Sequence, residues 1–439
     1  MASSAISTDT DCRVPLLHQY ASIRQRSVKL CEPLSPEDMM VQSCPEASPA
    51  KWHMAHTAWF FESFVLSEFL PGYKVFNADF PWLFNSYYQT FAEFPDKRLR
   101  ASFSRPALDQ ILQYRAHVDA AMDKLLDGDA PAESLRRIEL GLNHEEQHQE
   151  LLLTDIKHAL YTNPLQPAYL PADLSAANAN PATPLDWIEY RGGLVEIGQS
   201  EAEGFGFDNE RPRHRVWLEP FQLASRLITC GEYAEFIADG GYRRPDLWLS
   251  AGWQTAQDEK WQAPLYWRKS NGSADDWIIG ALRGKRRLAE VANCPVAHVS
   301  LFEADAYARW AGKRLATEAE WEVAASSVPV QGNLLESGKL ETAPAGQDAH
   351  QPVSSQHPNQ LFGDCWEWTS SAYLGYPGFA PLPGSLGEYN GKFMSGQMVL
   401  RGGSSVTPAS HIRPSYRNFF PPETRWQFSG IRLSSLPSS

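Results

Sequence analysis

The sequence predicts two domains of different class, an N-terminal four-helix bundle over residues 1–168 and a C-terminal α+β domain over residues 187–439. A chain of 439 residues, 43% of them hydrophobic, exceeds the size of one small domain. Its first part consists of long windows with helical periodicity and few glycines. Beyond residue 187, short segments rich in tryptophan alternate with glycine and proline. Residues 169–186 between them are rich in Pro, Ala and Asn, which is typical of a linker.

Four windows predict the helices of the bundle. The second opens with Ser48 as the N-cap and Pro49 at the first helical position, which are residue types favoured there. The fourth carries an apolar stripe that includes Leu135, Ile138 and Leu142 at helical spacing. Helices in sequence that present apolar faces predict an antiparallel bundle. The predicted helices cover residues 13–31, 48–70, 105–126 and 131–160.

The C-terminal domain is predicted to be dominated by loops. Short segments such as "GGLVEIG", "HRVWLEPFQLA" and "QMVLRGGS" indicate strands, and two helices are predicted within residues 229–241 and 300–315. The sequence shows no internal repeat at solenoid or propeller spacing. We interpret "GDCWEWT", which contains Cys365, and "LRGGSS" as scaffold.

Charge and cysteine content argue against several classes of function. The formal net charge of -13 and the pI near 5.4 argue against a nucleic-acid or anionic-membrane partner. The N-terminus "MASSAISTDTDC" lacks the basic and apolar regions of a signal peptide, and no run approaches the roughly 20 apolar residues of a membrane span. Six cysteines without C-x-x-C spacing indicate reduced thiols. We therefore expect a cytoplasmic protein whose partners are small molecules.

A candidate metal site begins in the last predicted bundle helix. His144 and His148 form an H-E-x-x-H string and lie at i and i+4 on one helical face, the separation that two imidazoles need to reach one metal ion. A zinc protease needs a third ligand, yet neither the glycine of the H-x-x-G-x-x-H form nor a Glu one helix further on follows. The second helix offers His56 instead, with His53 as a supporting residue. Three neutral nitrogen ligands leave up to three positions on an octahedral iron(II) for other molecules.

Six motifs carry a family resemblance that covers nearly the whole chain: "SPAKWHMAHTAWFFE", "FNSYYQTF", "LNHEEQHQELLLTDIKHAL", "FDNERPRHRVWLEPF", "GDCWEWTSSAYLGYPGF" and "SYRNFFPPETRWQFSGIRL". Together they resemble the nonheme iron sulfoxide synthases of ergothioneine biosynthesis. These join a bundle of the damage-inducible-protein type to a domain of the formylglycine-generating, sulfatase-modifying fold, a relative of C-type lectins. The resemblance implies iron(II) ligands at His56, His144 and His148. The cysteines required for formylglycine formation are not evident in this chain.

The resemblance also implies the reaction and its substrates. In that family hercynine, the trimethylated betaine of histidine, is joined oxidatively to a thiol with O2, giving a sulfoxide. The C-terminal domain is then expected to cover the bundle and to hold the substrate groups distant from the metal. The thiol is predicted to be free cysteine, because relatives that use γ-glutamylcysteine carry an Asp where Phe420 stands. They also carry a tyrosine-bearing segment of which only Tyr389 remains here.

The same resemblance, with side-chain chemistry, predicts the substrate contacts. Gln147 corresponds to the family position that bonds the substrate imidazole. Asn418 is suited to the hercynine carboxylate, and the rings of Phe419 and Phe420 are suited to a quaternary ammonium through cation–π attraction. The candidate anchors for the carboxylate of the thiol donor are Arg417, Arg98 and Arg100. The residues expected to orient the ligand imidazoles are Glu145, Glu146 and Asp155.

The tyrosine pair Tyr87 and Tyr88 is predicted to supply the catalytic proton. A phenol with a pKa of about 10 stays protonated at neutral pH and can deliver a proton during the reaction. The family branch that this chain resembles has its active-site tyrosines in this segment. Because adjacent residues in an extended loop point to opposite sides, we expect one phenol to face the metal and the other to support it. Tyr389 is the second candidate.

Two other functions compete with this prediction. A selenium-transferring enzyme, such as a selenoneine synthase, would keep iron and hercynine but change the donor pocket. A non-enzymatic binding module would use the lectin-like half to bind a ligand and the bundle histidines to hold structural zinc. Metal content and substrate-dependent O2 uptake distinguish the second alternative from an enzyme.

Overall fold

The computed structural model describes residues 10–171, 183–270, 276–346 and 357–437. The chain divides into two compact units, Met1–Ala159 and Leu160–Ser439. This division falls in the last turn of the final bundle helix, before the expected domain limit at residue 168. Residues 172–182 of the predicted linker lie outside the described residues.

Unit 1 is a four-helix bundle, which confirms the predicted class. Its long helices begin and end within a few residues of the predicted windows, because each buries an apolar face against the others. Two short helices lie in the connection between the second and third long helices. The helices are α1 (Thr10–Cys31), α2 (Ala50–Phe61), α3 (Ser67–Phe69), α4 (Phe80–Leu83), α5 (Leu108–Asp127) and α6 (Ala132–Thr162).

The start of α2 differs by one residue from the prediction. Pro49 is extended, with φ −60° and ψ 144°, and is the N-cap, so the helix begins at Ala50. The hydroxyl of Ser48 instead accepts a hydrogen bond from Arg100 Nη1 at 2.8 Å. All twelve residues of α2 are buried, as expected for a helix enclosed on every side. The helix continues through a π-helical segment, Glu62–Leu66, into α3.

A glycine allows α2 and α6 to approach closely. A Cβ atom on Gly141 would lie 2.6 Å from a ring carbon of Phe61 and 2.9 Å from one of Phe60, which no side chain tolerates without displacement. Gly141 precedes His144 by one helical turn, and the two phenylalanines follow His56 by about one turn. The close packing therefore brings the histidine-bearing parts of the two helices together.

A buried ion cluster fixes the rotation of α6. Glu145 is fully buried and accepts hydrogen bonds from Arg24 Nη1 and Arg115 Nη2, both at 2.9 Å, and from Ser27 Oγ at 2.6 Å. These partners lie on α1 and α5, so this side of α6 faces those helices. The neighbouring His144 lies on the side of α6 that faces α2.

Unit 2 is an α+β domain, as predicted, and its described residues form four small sheets. Two sheets have four strands, in the orders β1-β4-β13-β8 and β11-β10-β9-β12, and all pairs are antiparallel except β12 with β9. The other sheets are β2-β3 and β5-β6-β7. The strands are β1 (Trp187–Tyr190), β2 (Gly193–Ile197), β3 (His214–Leu218), β4 (Phe221–Ala224), β5 (Trp267–Lys269), β6 (Trp277–Ala281), β7 (Gly284–Arg287), β8 (Arg314–Leu315), β9 (Trp366–Ala372), β10 (Met398–Arg401), β11 (Asn418–Phe420), β12 (Ser429–Gly430) and β13 (Leu433–Ser435).

The helices of unit 2 include the two that the sequence predicted. Each of those two has an N-cap residue, Thr229 or Ser300, whose side chain accepts a hydrogen bond from the backbone amide three residues on. The other three were not predicted. The helices are α7 (Cys230–Ala238), α8 (Ser250–Asp258), α9 (Leu288–Val291), α10 (Leu301–Trp310) and α11 (Glu318–Ala325).

The "GDCWEWT" segment lies in the core of unit 2, which supports its interpretation as scaffold. Glu367 forms a buried ion pair with Arg432, whose Nη2 lies 2.7 Å from Oε1. Glu367 also accepts a hydrogen bond from Trp321 Nε1 at 2.8 Å. Cys365 is fully buried, with Sγ 3.6 Å from the carbonyl of Val296.

Candidate metal centre

Three histidines from α2 and α6 converge in the bundle core. One ring nitrogen each of His56, His144 and His148 lies within 4.8 Å of the others. The Nε2 atoms of His144 and His148 are 3.1 Å apart. Within the part of the chain that the structure describes, this is the one group of histidine, cysteine and acidic residues with such a separation. The predicted ligand set is therefore brought together.

Hydrogen bonds at the outer ring nitrogens determine which nitrogens face inward. The Nδ1–H of His56 donates to the carbonyl of Phe84 at 2.6 Å, which leaves Nε2 as the acceptor nitrogen. That Nε2 is buried and has no hydrogen-bond partner among the described residues. A buried polar atom without a partner is costly unless something else binds it. We therefore infer that the lone pair of this nitrogen binds a ligand.

His53 connects His148 to a carboxylate. His53 Nε2 lies 3.1 Å from Asp155 Oδ2, and His53 Nδ1 lies 2.8 Å from His148 Nδ1. With Nε2–H donating to the carboxylate, a neutral His53 accepts the Nδ1–H of His148. This arrangement leaves Nε2 of His148 with a lone pair directed toward His144. Carboxylate–histidine pairs of this kind orient metal-binding imidazoles in many proteins.

These residues fit a transition-metal ion. With metal–nitrogen distances of about 2.1 Å and angles between 90° and 109°, two ligand nitrogens lie about 3.0–3.4 Å apart. The observed 3.1 Å between His144 and His148 falls in this range. The orphaned Nε2 of His56 supplies the third donor. Imidazole ligands suit iron, zinc, copper and nickel, so the donor set alone does not select among them.

Burial keeps the three rings neutral. Removal from water, opposed by the attraction of Glu145 and assisted by repulsion from His53, lowers the pKa of His144 to about 3. Burial, followed by repulsion from His144, also holds the pKa of His56 and of His148 well below the usual range. Neutral imidazoles are the form that binds metal. The site is thus ready to bind a cation at neutral pH.

Aromatic rings enclose the histidines on the α2 side. The ring of His56 stacks between Trp52 and Trp59, at centroid distances of 4.5 and 5.1 Å and with 14° between planes in both pairs. The guanidinium of Arg100 lies 3.5 Å above the ring of Trp52. No role was predicted for either tryptophan, although each lies on α2 one turn from His56.

Arg98 and Arg100 are two residues apart but occupy opposite environments. Arg98 is largely exposed and pairs with Asp96, with Nη2 at 2.6 Å from Oδ2, so its prediction as a substrate anchor is not supported. Arg100 is buried and donates to the hydroxyls of Ser48 and Ser86. It forms no ion pair with a described residue, and burial lowers its pKa to about 9. Arg100 therefore keeps the properties expected of an anion anchor.

The tyrosine pair does not adopt the arrangement expected from an extended loop. The rings of Tyr87 and Tyr88 stack on one another, with centroids 4.6 Å apart and 25° between planes, rather than pointing to opposite sides. The reason is a turn, in which the amides of Gln89 and Phe91 donate to the carbonyls of Tyr87 and Tyr88. Tyr88 is buried against Trp59, with ring centroids 5.6 Å apart. Trp59 therefore contacts both Tyr88 and His56, and it connects the tyrosine pair to the histidines.

The acidic residues of the "HEEQH" segment have different partners from those expected. Glu145 is held by the α1 and α5 arginines, and Glu146 Oε1 accepts from Arg26 Nη1 at 3.1 Å. Roles for Glu145 and Glu146 in orienting the ligand rings stay predictions. Asp155 does act on the site, but through His53. Gln147 is half-buried beside His148.

The predicted substrate contacts of the "YRNFF" segment lie in unit 2. Arg417 is committed to an internal ion pair, because Nε and Nη2 donate to Glu318 and Nη1 donates to the carbonyl of Asn209. Its role as a donor anchor stays a prediction. The ring of Phe419 stacks on Tyr373 at 4.0 Å.

The remaining predicted contacts in unit 2 also pack against neighbouring rings. Phe420 packs edge-on against Trp426, with ring centroids 5.5 Å apart, and Tyr389 is buried and stacks on Phe207. Asn418 Oδ1 accepts the backbone amide of Phe419 at 2.9 Å. Substrate roles for Asn418, Phe419, Phe420 and Tyr389 stay predictions.

Comparison with known families agrees with both units. Residues 19–153 match the DinB superfamily, and residues 173–435 match the Sulfatase-modifying factor enzyme 1-like domain. The fold and the site together define a class, in which a DinB-type bundle with a buried three-histidine centre precedes a sulfatase-modifying-factor-like domain.

Full-length relatives identify the family. "Hercynine oxygenase" of Mycolicibacterium smegmatis is 32% identical over 450 residues, covering 96% of this chain and 99% of the relative. "Hercynine oxygenase" of Mycobacterium tuberculosis is 32% identical over 445 residues, covering 94% and 97%. The chain belongs to the hercynine oxygenase family. "Formylglycine-generating enzyme" of Streptomyces coelicolor is 29% identical over 276 residues, covering 53% of this chain and 82% of the relative.

None of the described helices has the length and apolar composition needed to cross a membrane.

Proposed function

We propose that this protein is an iron(II)-dependent enzyme that joins hercynine to cysteine with O2, giving hercynylcysteine sulfoxide in ergothioneine biosynthesis. The observation that carries the proposal is the buried cluster of His56, His144 and His148, with neutral rings and an orphaned Nε2, in a chain of the hercynine oxygenase family. The overall change balances without another reductant. The imidazole C–H and the thiol S–H are lost, a C–S bond forms, one oxygen atom of O2 stays on sulfur and the other leaves as water.

The protein's own residues bind and orient the reactants. The bound iron(II) would bring the substrates together and activate O2. The backbone carbonyl of Phe84 and the Asp155–His53 pair hold the ligand rings of His56 and His148 in one tautomer. Trp52 and Trp59 cover both faces of His56 and exclude water from it. Such exclusion strengthens the electrostatic interactions within the site.

Arg100 is proposed to bind the carboxylate of the thiol donor. Its guanidinium is buried and lies over Trp52, which itself stacks on His56. Its recorded contacts are neutral hydroxyls and an indole ring, and the Asp155 carboxylate attracts it without forming an ion pair. Without an ion pair, the cost of removing a guanidinium from water is poorly compensated. The carboxylate of a bound substrate would supply the missing negative charge.

Tyr88, supported by Tyr87, is proposed as the proton donor of the reaction. Its ring is buried against Trp59, and a neutral phenol is a suitable donor at neutral pH. Gln147, which precedes His148, is proposed to bond the substrate imidazole.

Free cysteine is proposed as the donor because the "RNFF" segment ends in an apolar residue. Phe420 packs against Trp426, so it offers no carboxylate to the ammonium group of a longer donor such as γ-glutamylcysteine. A selenium nucleophile with the same carbon skeleton would meet the same pocket, and this keeps the selenium-transferring alternative as a second outcome of the test.

The test is anaerobic loading of the full chain with iron(II), followed by O2 uptake and product mass measurements. We expect uptake only when hercynine and a thiol are both present, and a higher kcat/KM with cysteine than with γ-glutamylcysteine or selenocysteine. A zinc-loaded sample is the matched control and should consume no O2. Tight zinc binding without substrate-dependent O2 uptake in the iron-loaded protein would favour the binding-module alternative.

A further inference from the structure

A second pocket lies within unit 2, among residues that the proposed reaction does not use. It has a volume of about 420 Å³, within the roughly 300–1,000 Å³ typical of small-molecule sites. The end of α7 and residues 240–243 form one side. The end of α8 and the residues that follow it form another, and β5 and β6 close the pocket.

The rim of this pocket carries three positive charges. Arg243, Lys260 and Lys269 line it and are exposed. None of the three forms an ion pair with a described residue, and none of the described lining residues is acidic. In a chain with a net charge of -13, such a local excess of positive charge is unexpected by composition. It creates a potential that attracts anions.

The arginine next to Arg243 in the chain differs from the pocket cations, because it is already paired with acidic residues. Arg244 does not line the pocket and pairs with Asp239 at 3.3 Å and with Asp246 at 3.2 Å. Glu303 accepts hydrogen bonds from Oη of Tyr242, a residue that lines the pocket, and from Arg425 Nη1.

The walls of the pocket are aromatic. Tyr242 and Trp277 are buried in its wall, and Lys269 Nζ lies 5.6 Å from the ring centre of Trp277. Trp261 is half-buried and lines the pocket, while the guanidinium of Arg425 covers one of its faces at 4.0 Å. The guanidinium holds the indole in place as part of the pocket lining.

We propose that this pocket binds a nucleoside phosphate. Arg and Lys side chains bind phosphate oxygens. Indole faces stack on nucleobases of any kind. The cations line the same pocket as Trp261, so one ligand can use both. The site is separate from the histidine centre in its residues and does not depend on the proposed reaction.

The first test uses the full chain without added metal. ATP is titrated into the protein by isothermal calorimetry at low salt, and tripolyphosphate is titrated in parallel. We expect saturable binding of ATP, weaker binding of tripolyphosphate by roughly fivefold or more because it lacks the stacking ring, and loss of affinity as salt is raised. Absence of saturable heat with ATP would refute the site, and equal affinity for the two ligands would refute the aromatic part.

Variants then locate the site. Arg243→Gln and Lys269→Gln should each weaken ATP binding by roughly fivefold. This is the effect expected from losing the attraction between two unit charges about 4 Å apart in water. Arg244→Gln is the matched control, because it removes the adjacent but already paired charge, and it should leave ATP affinity unchanged. If Arg244→Gln weakens binding as much as Arg243→Gln, the ligand is attracted by general surface charge and the pocket is not its site.

Discussion

Replacement of His53 by Phe tests whether the Asp155–His53 pair sets the tautomer of a metal ligand. Phe keeps the flat ring but removes the acceptor that lies 2.8 Å from His148 Nδ1. In the metal-free variant, His148 can place its proton on Nε2 and donate to His144, whose Nε2 is 3.1 Å away. Once a metal takes Nε2, the proton must return to Nδ1, where no acceptor remains.

The expected loss of metal affinity follows from that orphaned N–H. A buried donor without an acceptor costs about 1–3 kcal/mol, and here the cost arises mainly in the metal-bound state. It therefore lowers affinity by roughly 5- to 150-fold, in agreement with the roughly 10–100-fold usual for partners of ligand histidines. Asp155→Asn should have a smaller effect, because its amide oxygen can still accept from His53.

The assay is an anaerobic competition titration of iron(II) between the protein and a chromogenic chelator. His158→Phe is the matched control, since His158 lies on α6 as His148 does, hydrogen-bonds Ser43 Oγ at 2.7 Å and is not one of the three clustered histidines. It should bind iron as the unmodified chain does. A change of less than about twofold for His53→Phe, or an equal loss for His158→Phe, would contradict the assigned role of the pair.

Three further predictions concern the surroundings of the centre. Arg100→Gln should raise KM for cysteine by about tenfold or more with a smaller change in kcat, since one charge-assisted hydrogen bond contributes about 1.5–3 kcal/mol, whereas the exposed Arg98→Gln should leave steady-state kinetics unchanged. Glu145→Gln should destabilise unit 1. Burial opposes ionisation of Glu145, but its arginine partners lower the pKa from 4.5 to about 2, so its contribution of about 3 kcal/mol is present above pH 4.5 and is lost as pH falls toward 2. In urea unfolding, the free energy of unfolding of the unmodified chain should exceed that of the Glu145→Gln variant at pH 7. The difference should narrow below pH 4.5, and a difference that does not change with pH would contradict this. Tyr88→Phe should lower sulfoxide formation and raise cysteine sulfinate more than Tyr87→Phe does, and an unchanged product ratio by mass analysis in both would exclude the pair from proton delivery.

The sequence by itself determined the domain classes, their order and the three histidines that the fold brings together. Helical periodicity and the i, i+4 spacing of His144 and His148 are local properties, readable without knowledge of distant contacts. His56 followed because a bundle brings neighbouring helices together. The family resemblance, carried by long motifs, agreed with these inferences, and the comparisons confirmed the family.

Only the tertiary structure decided which charged residues serve the centre. Glu145 lies next to a ligand yet faces α1 and α5, whereas Asp155, nearly two turns beyond His148, reaches the site through His53. Arg98 and Arg100 have the same chemistry, but a single 3-10 helix exposes one and buries the other.

The partners of these groups are far away in the chain. Arg417 is satisfied by Glu318, 99 residues earlier, and no local pattern identifies such a pair. Helix rotation and ion pairing depend on how the whole core packs, because a buried charge must find its partner wherever the fold brings one within reach.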